Sequence, residues 1–509
     1  MANDTASVGF YAAELLDTMA ERQPDKTALI AKEEQLTFAA LNQRVHALAG
    51  HLQQAGIRQG DRVGVLLPNS NAIPLTYYAT QKIGAVTVIL DARLKGIELQ
   101  GVLTDADLKL LVVHSQALSE VEEVFKAIDR VSLWIVGADG EPSFEAKFAV
   151  PATPLSLPKL KPGDSALILY TSGTTGEPKG VVLSYHNLTQ YPAVMSKMGI
   201  TNSDTVRGCI LPMSHIVGPI VCNEVAEKGY TLVIFDQFNP ITLLEGIQKH
   251  HVTVFEGVPI IFQLMLSVKN LADYDTSSVK IAAMMGTSVP LPLLQAFKKA
   301  QPHIKVIQGY GLTETSPLIT LVEPERAVTK MGSIGRAVPG VEVRIVDENG
   351  GEVPMGEAGE IITRGPHVMK GYFRKPAATA ERIHGEWLHT GDVGKVDADG
   401  YYHHLGRRDD MIITGGLNVY PAEVENLIYT YPGVHETIVF AIPDPKRGNV
   451  IGAAIVLRPG ASIVEKELLT FLRANLANFK VPDKIVIRES LPRTSSGKTV
   501  RDAQALCAD

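Results

Sequence analysis

Cysteine is scarce in this chain, with three in 509 residues: Cys209, Cys222 and Cys507. None stands in a CxxC pair, so neither a zinc ribbon nor a disulfide framework is expected, and a reducing cytoplasm is the natural compartment. The first residues, Met1-Ala-Asn-Asp-Thr, carry no basic segment followed by an apolar one, so no secretory signal is expected. Long hydrophobic runs are also missing. The longest, Cys209 to Ala226, is interrupted by Pro212, His215, Pro219 and Glu224 and is unsuited to spanning a bilayer. Nor is there an excess of positive charge. Lys and Arg number 48 against 55 Asp and Glu, and the net charge of −7 argues against a nucleic-acid partner. The common nucleotide fingerprints are absent too. Gly497-Lys498-Thr499 has the end of a Walker loop, but position 492, where its first glycine belongs, is proline. No GxGxxG follows a predicted strand, so a P-loop NTPase and a dinucleotide oxidoreductase are both disfavoured.

What is present is a globular composition, 45% apolar and 20% charged, in a chain too long for one ordinary core. Short apolar strands alternate with amphipathic helices twice. The first block includes Val63–Leu67, 72–82, Val86–Leu90, 97–104, Leu110–Val113 and Leu133–Val136. The second runs from Thr231–Phe235 to Val306-Ile307. Such alternation predicts parallel sheets covered on both faces. From about 332 the texture turns β-rich, and beyond Arg407 a mixed tail of roughly a hundred residues has the size of a domain. The expected architecture is α/β: a large N-terminal part of two α/β subdomains plus a small β-rich subdomain, followed by a small mobile α+β domain. Residues 1–406 form the expected core, 407–410 a hinge, and 411–509 the mobile domain.

The most distinctive stretch is Tyr170-Thr-Ser-Gly-Thr-Thr-Gly-Glu-Pro-Lys-Gly180, flanked by apolar residues. It reads as strand, tight loop, strand. Glycines let backbone N–H groups close on an anion, hydroxyls add donors, and lysine adds charge, which together suit a polyphosphate. Five further blocks accompany it: Leu211-Pro-Met-Ser-His215, Gly309-Tyr-Gly-Leu-Thr-Glu314, Thr390-Gly-Asp392, Gly406-Arg407 and Pro492-Arg-Thr-Ser-Ser-Gly-Lys498.

This ordered set resembles the adenylate-forming superfamily of acyl-CoA synthetases, nonribosomal adenylation domains and firefly-type luciferases. The resemblance covers nearly the whole chain and is nearest to bacterial fatty-acid CoA ligases. It implies an AMP-forming acid–thiol ligase with ATP and CoA as co-substrates and Mg²⁺ as cofactor. Thr171, Ser172, Gly173, Thr174, Thr175, Gly176 and Lys179 would hold the β- and γ-phosphates. Gly309, Tyr310 and Gly311 would border the nucleotide, with the Tyr310 ring stacked on adenine. Thr313 would contact the α-phosphate and Glu314 would help hold Mg²⁺. Asp392 would accept from both ribose hydroxyls, with Arg407 on the same sugar. Lys498 would bridge carboxylate and α-phosphate, which makes Lys498, Glu314 and Thr313 the candidate catalytic residues.

The resemblance also implies that one site serves both half-reactions by rotation of the small domain about Asp409, with Gly415 and Gly416 lining the pantetheine path. Leu417 stands where many relatives carry glutamate. The acyl pocket would lie near His215, Ile216, Val217, Phe255 to Pro259, Met284, Met285, Gly286 and Gly309. His215 reads as a wall or gate, and an apolar acid, aliphatic or aromatic, is the expected substrate. The alternative is an adenylation enzyme that loads a carrier protein in trans. The expected partners are therefore a small carboxylic acid, ATP and CoA, with no nucleic acid and no transmembrane segment, in a monomer or homodimer.

Overall fold

The computed structural model describes residues 11–129, 131–138, 143–148, 155–172, 178–286, 289–330, 332–493 and 499–507. Two α/β sheets form the bulk of the N-terminal part. The first has seven strands. Its parallel set is Arg62–Leu66, Val86–Leu90, Leu110–His114, Ser132–Val136 and Ser165–Ser172, extended antiparallel by Pro178–Ser184 and then by Gly371–Tyr372. The second has nine strands. Its parallel centre is Thr231–Ile234, Val206–Cys209, Val254–Gly257, Ile281–Met284 and Lys305–Tyr310. The two predicted alternating blocks are these two sheets.

The helices follow from apolar spacing and capping. Phe38–Gln54 buries Leu41, Val45, Leu48 and Leu52, which recur at helical spacing. Thr37 begins it, its hydroxyl accepting from the Ala40 N–H at 3.2 Å. Such faces meet the sheets in one large core that draws residues from both, from Ala12 to Leu388. Burying a Leu or Val side chain contributes about 1.5–3 kcal/mol, so this shared core binds the two lobes to each other.

A third sheet, Glu342–Val346, Gly359–Arg364, Ile383–His384, Trp387–Val396 and Tyr402–Arg407, is the predicted β-rich part. Beyond it lies a hairpin, Ile412–Thr414 with Leu417–Val419. A three-stranded sheet follows, Val434–Asp444, Gly448–Leu457 and Lys484–Arg488. The cores of this last portion use residues from Ile412 to Leu506 and share none with the large core. The two portions touch where Gln263 Nε2 lies 2.9 Å from His435 Nδ1. Among the described residues no helix is long and apolar enough to cross a membrane.

Candidate active site

The strand Lys305–Tyr310 ends at the motif Gly309-Tyr-Gly-Leu-Thr-Glu314, and Asp392, Arg407 and Glu314 gather around that end. Gly311 is there because nothing larger fits: a Cβ at this position would stand 1.5 Å from the Pro317 carbonyl oxygen. Position 309 is also tight, since a Cβ there would stand 2.9 Å from Leu318 Cδ1. After Leu312 the chain turns through a short 3₁₀ segment, Thr313–Thr315. Thr313 is the first residue of that turn.

Asp392 and Arg407 are direct partners on neighbouring antiparallel strands. The Tyr310 hydroxyl donates to Asp392 Oδ2 at 2.6 Å. Arg407 Nε stands 2.8 Å from Asp392 Oδ1, an ion-pair distance, but it is not aligned as a hydrogen bond, and Oδ1 is left as a buried acceptor without one. His404 Nε2 is 3.6 Å from the same oxygen, and its ring lies 5.8 Å from the Tyr310 ring. Burial pushes the Asp392 carboxyl up, but His404, Arg407 and the Tyr310 hydroxyl outweigh it, so the group stays below the ordinary carboxylate value and is ionised. Burial pushes the Arg407 guanidinium down, and Asp392, Tyr310 and Glu314 more than reverse that. Burial and then Asp392 raise the Tyr310 phenol well above its ordinary value, which keeps it a donor.

Glu314 is drawn in through a residue that sequence reasoning missed. The Tyr372 hydroxyl donates to Glu314 Oε1 at 2.9 Å, and the Lys179 ammonium lies 5.6 Å from the centroid of the same tyrosine ring. Tyr372 reaches this place because Gly371–Tyr372 pairs with Val181-Val182, in the strand that leaves the glycine-rich motif. Thr171 faces Lys179 across the two strands that flank that motif. Those strands extend further into the motif than expected, to Ser172 on one side and from Pro178 on the other. Gly173, Thr174, Thr175 and Gly176, the side chain of Ser172, and Lys498 lie outside the described residues.

Other expected residues stand apart or need correcting. His215 is exposed. Val217 begins the helix Val217–Lys228 and packs, with Ile216 and Met285, against the large core. Gly286 follows with φ of 88°. Phe255 and Met284 belong to the opposite face of the same sheet. Phe255 is fully buried there and stacks on Phe262 at 5.5 Å, so neither lines a pocket shared with Val217 and Met285. Strand alternation is the reason: Met284 and Met285 point to opposite faces. Gly415 and Gly416, with φ of 56° and 82°, form the two-residue turn of the hairpin. That turn needs positive φ at both positions and so favours glycine. Asp409 is exposed in the turn after Arg407.

Two α/β sheets with an Asp–Arg–Tyr cluster at the end of one strand, and nearby the antiparallel strands that flank the glycine-rich motif, define a nucleotide-binding enzyme of the adenylate-forming type. The family model "AMP-binding enzyme" matches residues 16–373, and "AMP-binding enzyme C-terminal domain" matches 423–498. The chain belongs to this family. It is 37% identical over 486 residues to a feruloyl-CoA synthase of Amycolatopsis sp, covering 95% of this chain and 96% of that protein. It is 34% identical over 521 residues to a long-chain-fatty-acid–CoA ligase of Bacillus subtilis, covering 96% and 92%. Among solved structures, o-succinylbenzoate CoA synthetase from Bacillus subtilis in complex with its acyl-adenylate intermediate superposes with TM-score 0.85 at 30% identity, over 97% of this chain and 98% of that one.

Proposed function

We propose that this chain is an AMP-forming acid–CoA ligase acting on an apolar carboxylic acid, aliphatic or aromatic. The observation that carries the reading is the meeting of Tyr310, Asp392, Arg407 and Glu314 at the end of one strand, with Lys179 reaching Glu314 through Tyr372. A carboxylate is a poor electrophile. Attack of its oxygen on the α-phosphorus of ATP forms the acyl-adenylate and expels pyrophosphate. The sulfur of CoA then attacks the acyl carbon, and AMP leaves with the oxygen that the acid contributed.

In this reading Asp392 holds the ribose through its buried Oδ1, and Arg407 keeps that carboxylate charged. Lys179 and the glycine-rich motif neutralise the departing pyrophosphate, and Thr313 contacts the α-phosphate. Among the described residues no three His, Cys, Asp or Glu side chains stand together as a metal site. A magnesium ion at Glu314 would therefore take its remaining oxygen ligands from the triphosphate and water, and it would supply charge neutralisation there. Residues 1–406 would hold the nucleotide and acid, 407–410 would form the hinge, and 411–509 would carry Lys498. Three free cysteines fit a cytoplasmic setting.

The test is exchange of labelled pyrophosphate into ATP across a panel of acids. We expect exchange that depends on an added apolar acid and does not need CoA. Exchange without any acid, or with amino acids only, would overturn the reading.

A further inference from the structure

Directly beneath Met285 and Gly309, where the acid would lie in this reading, is a cluster of charge that the proposed reaction does not use. On the sheet face that carries Met285, register places Cys209, Glu256, Ala283 and Ile307 in one row, with Arg207, Val254 and Ile281 in the next row down. Met285 and Gly309 stand two residues above this row, about 7 Å along the strands. The cover on this face is the helix Val217–Lys228. Val217, Ile220 and Glu224 share one side of it, and Glu224 is about 10 Å along from Val217.

Arg207, Glu224 and Glu256 are 2%, 0% and 4% exposed. Arg207 pairs with Glu224, reaches Glu256 Oε2 at 2.6 Å, and donates to the Tyr191 hydroxyl at 3.1 Å. The oxygens of Glu224 also accept from Thr201 at 2.7 Å and from Tyr230 at 3.1 Å. One carboxylate oxygen is left over. Glu256 Oε1 is buried and accepts nothing from the protein. A buried acceptor without a donor is costly, and native structures seldom leave one without a reason.

We propose that Arg207, Glu224 and Glu256 form a charged floor to the acyl pocket that sets its substrate class: an aryl acid of about one ring's depth carrying a hydroxyl at its far end. This inference rests on the ligase reading above. The floor acts in two ways. A long alkyl chain cannot pass it without separating buried ion pairs, which is strongly unfavourable once one partner is left alone. A hydroxyl at the right depth gives Glu256 Oε1 its missing donor. Met285 occupies the row between the floor and the mouth, and a methionine side chain repacks readily to admit a ring.

The test is a comparison of kcat/KM for three acids at fixed ATP and CoA: a para-hydroxylated arylpropenoic acid, the same acid without the hydroxyl, and hexadecanoic acid. It is run on the wild type and on Glu256→Gln. For the wild type we expect the hydroxylated acid to exceed its deoxy analogue by at least about tenfold, because a site built for a hydroxyl rejects the analogue lacking it. Hexadecanoic acid should fall lower still. In Glu256→Gln the hydroxyl preference, read as the ratio of kcat/KM for the two aryl acids, should shrink towards one. Hexadecanoic acid turned over by the wild type as well as the aryl acids would overturn the floor. So would an unchanged hydroxyl preference in folded Glu256→Gln. If the variant does not fold, the wild-type comparison alone decides. Failure of every acid to support pyrophosphate exchange would instead sink the ligase reading on which the floor depends.

Discussion

Lys498→Ala is expected to slow adenylate formation about a hundredfold to a thousandfold and to leave thiolation of a supplied acyl-adenylate nearly intact. The first half-reaction brings two anions together, a carboxylate and the α-phosphate of ATP. Charge on the phosphate oxygens must be met in the transition state, and a positioned cation does this best. Lys179 sits on the pyrophosphate side in this account, and Arg407 is committed to Asp392, so neither replaces a lysine at the point of attack. Loss of one such stabilising group elsewhere costs about a hundredfold to a thousandfold in rate, and a similar fall is expected in pyrophosphate exchange. The second half-reaction needs a thiol at the acyl carbon and no longer needs two anions joined. Single-turnover measurements with synthetic acyl-adenylate and CoA check this directly. An equal fall in both steps would show that Lys498 acts on folding or on general binding.

Asp409→Pro is expected to have the reverse pattern, with pyrophosphate exchange close to wild type and thioester formation reduced about tenfold or more. The residues on either side of Asp409 are tied to different parts of the molecule. The Arg408 N–H donates to the Gly391 carbonyl at 2.8 Å, on the N-terminal side. Asp410 Oδ2 stands 3.4 Å from Arg501 Nε, on the C-terminal side. Asp409 lies between these attachments and is exposed. In the proposed reading it is the residue whose backbone would absorb a rotation of one part against the other. Proline fixes its φ near −65° and biases the residue before it away from helical values. Retention of both half-reactions would remove Asp409 as the hinge, and loss of both would indicate damage to the nucleotide site.

Much of this was legible in the amino-acid order because the signals are local. Alternating strands and helices announced two parallel sheets, and capped amphipathic stretches such as Phe38–Gln54 set their cover. Tyr310, Asp392 and Arg407 belong to short distinctive motifs, and the structure brings them into contact. Tyr372 and His404 could not be found that way. Tyr372 reaches Glu314 only because its short strand pairs with Val181-Val182 far back in the chain, a tertiary event without a local mark. His404 matters through its register opposite Gly394, close to Asp392.

The misplacement of Phe255 and Met284 has a different origin. Adjacent strand residues face opposite ways, so a run such as Met284-Met285 had to be divided between two faces. The charged floor also had a signal: Arg207 and Glu256 interrupt apolar strands that a doubly covered sheet buries on both sides, where a charge is expected only with a partner.

In the proposed reaction the acid's own oxygen attacks the α-phosphorus and CoA then displaces AMP. This is tested most directly by turning over an acid labelled with ¹⁸O in its carboxylate, in the presence of ATP and CoA, and weighing the products. One labelled oxygen is expected in AMP, none in pyrophosphate, and one retained in the thioester carbonyl. Label appearing in orthophosphate alongside ADP, or AMP formed without label, would contradict it.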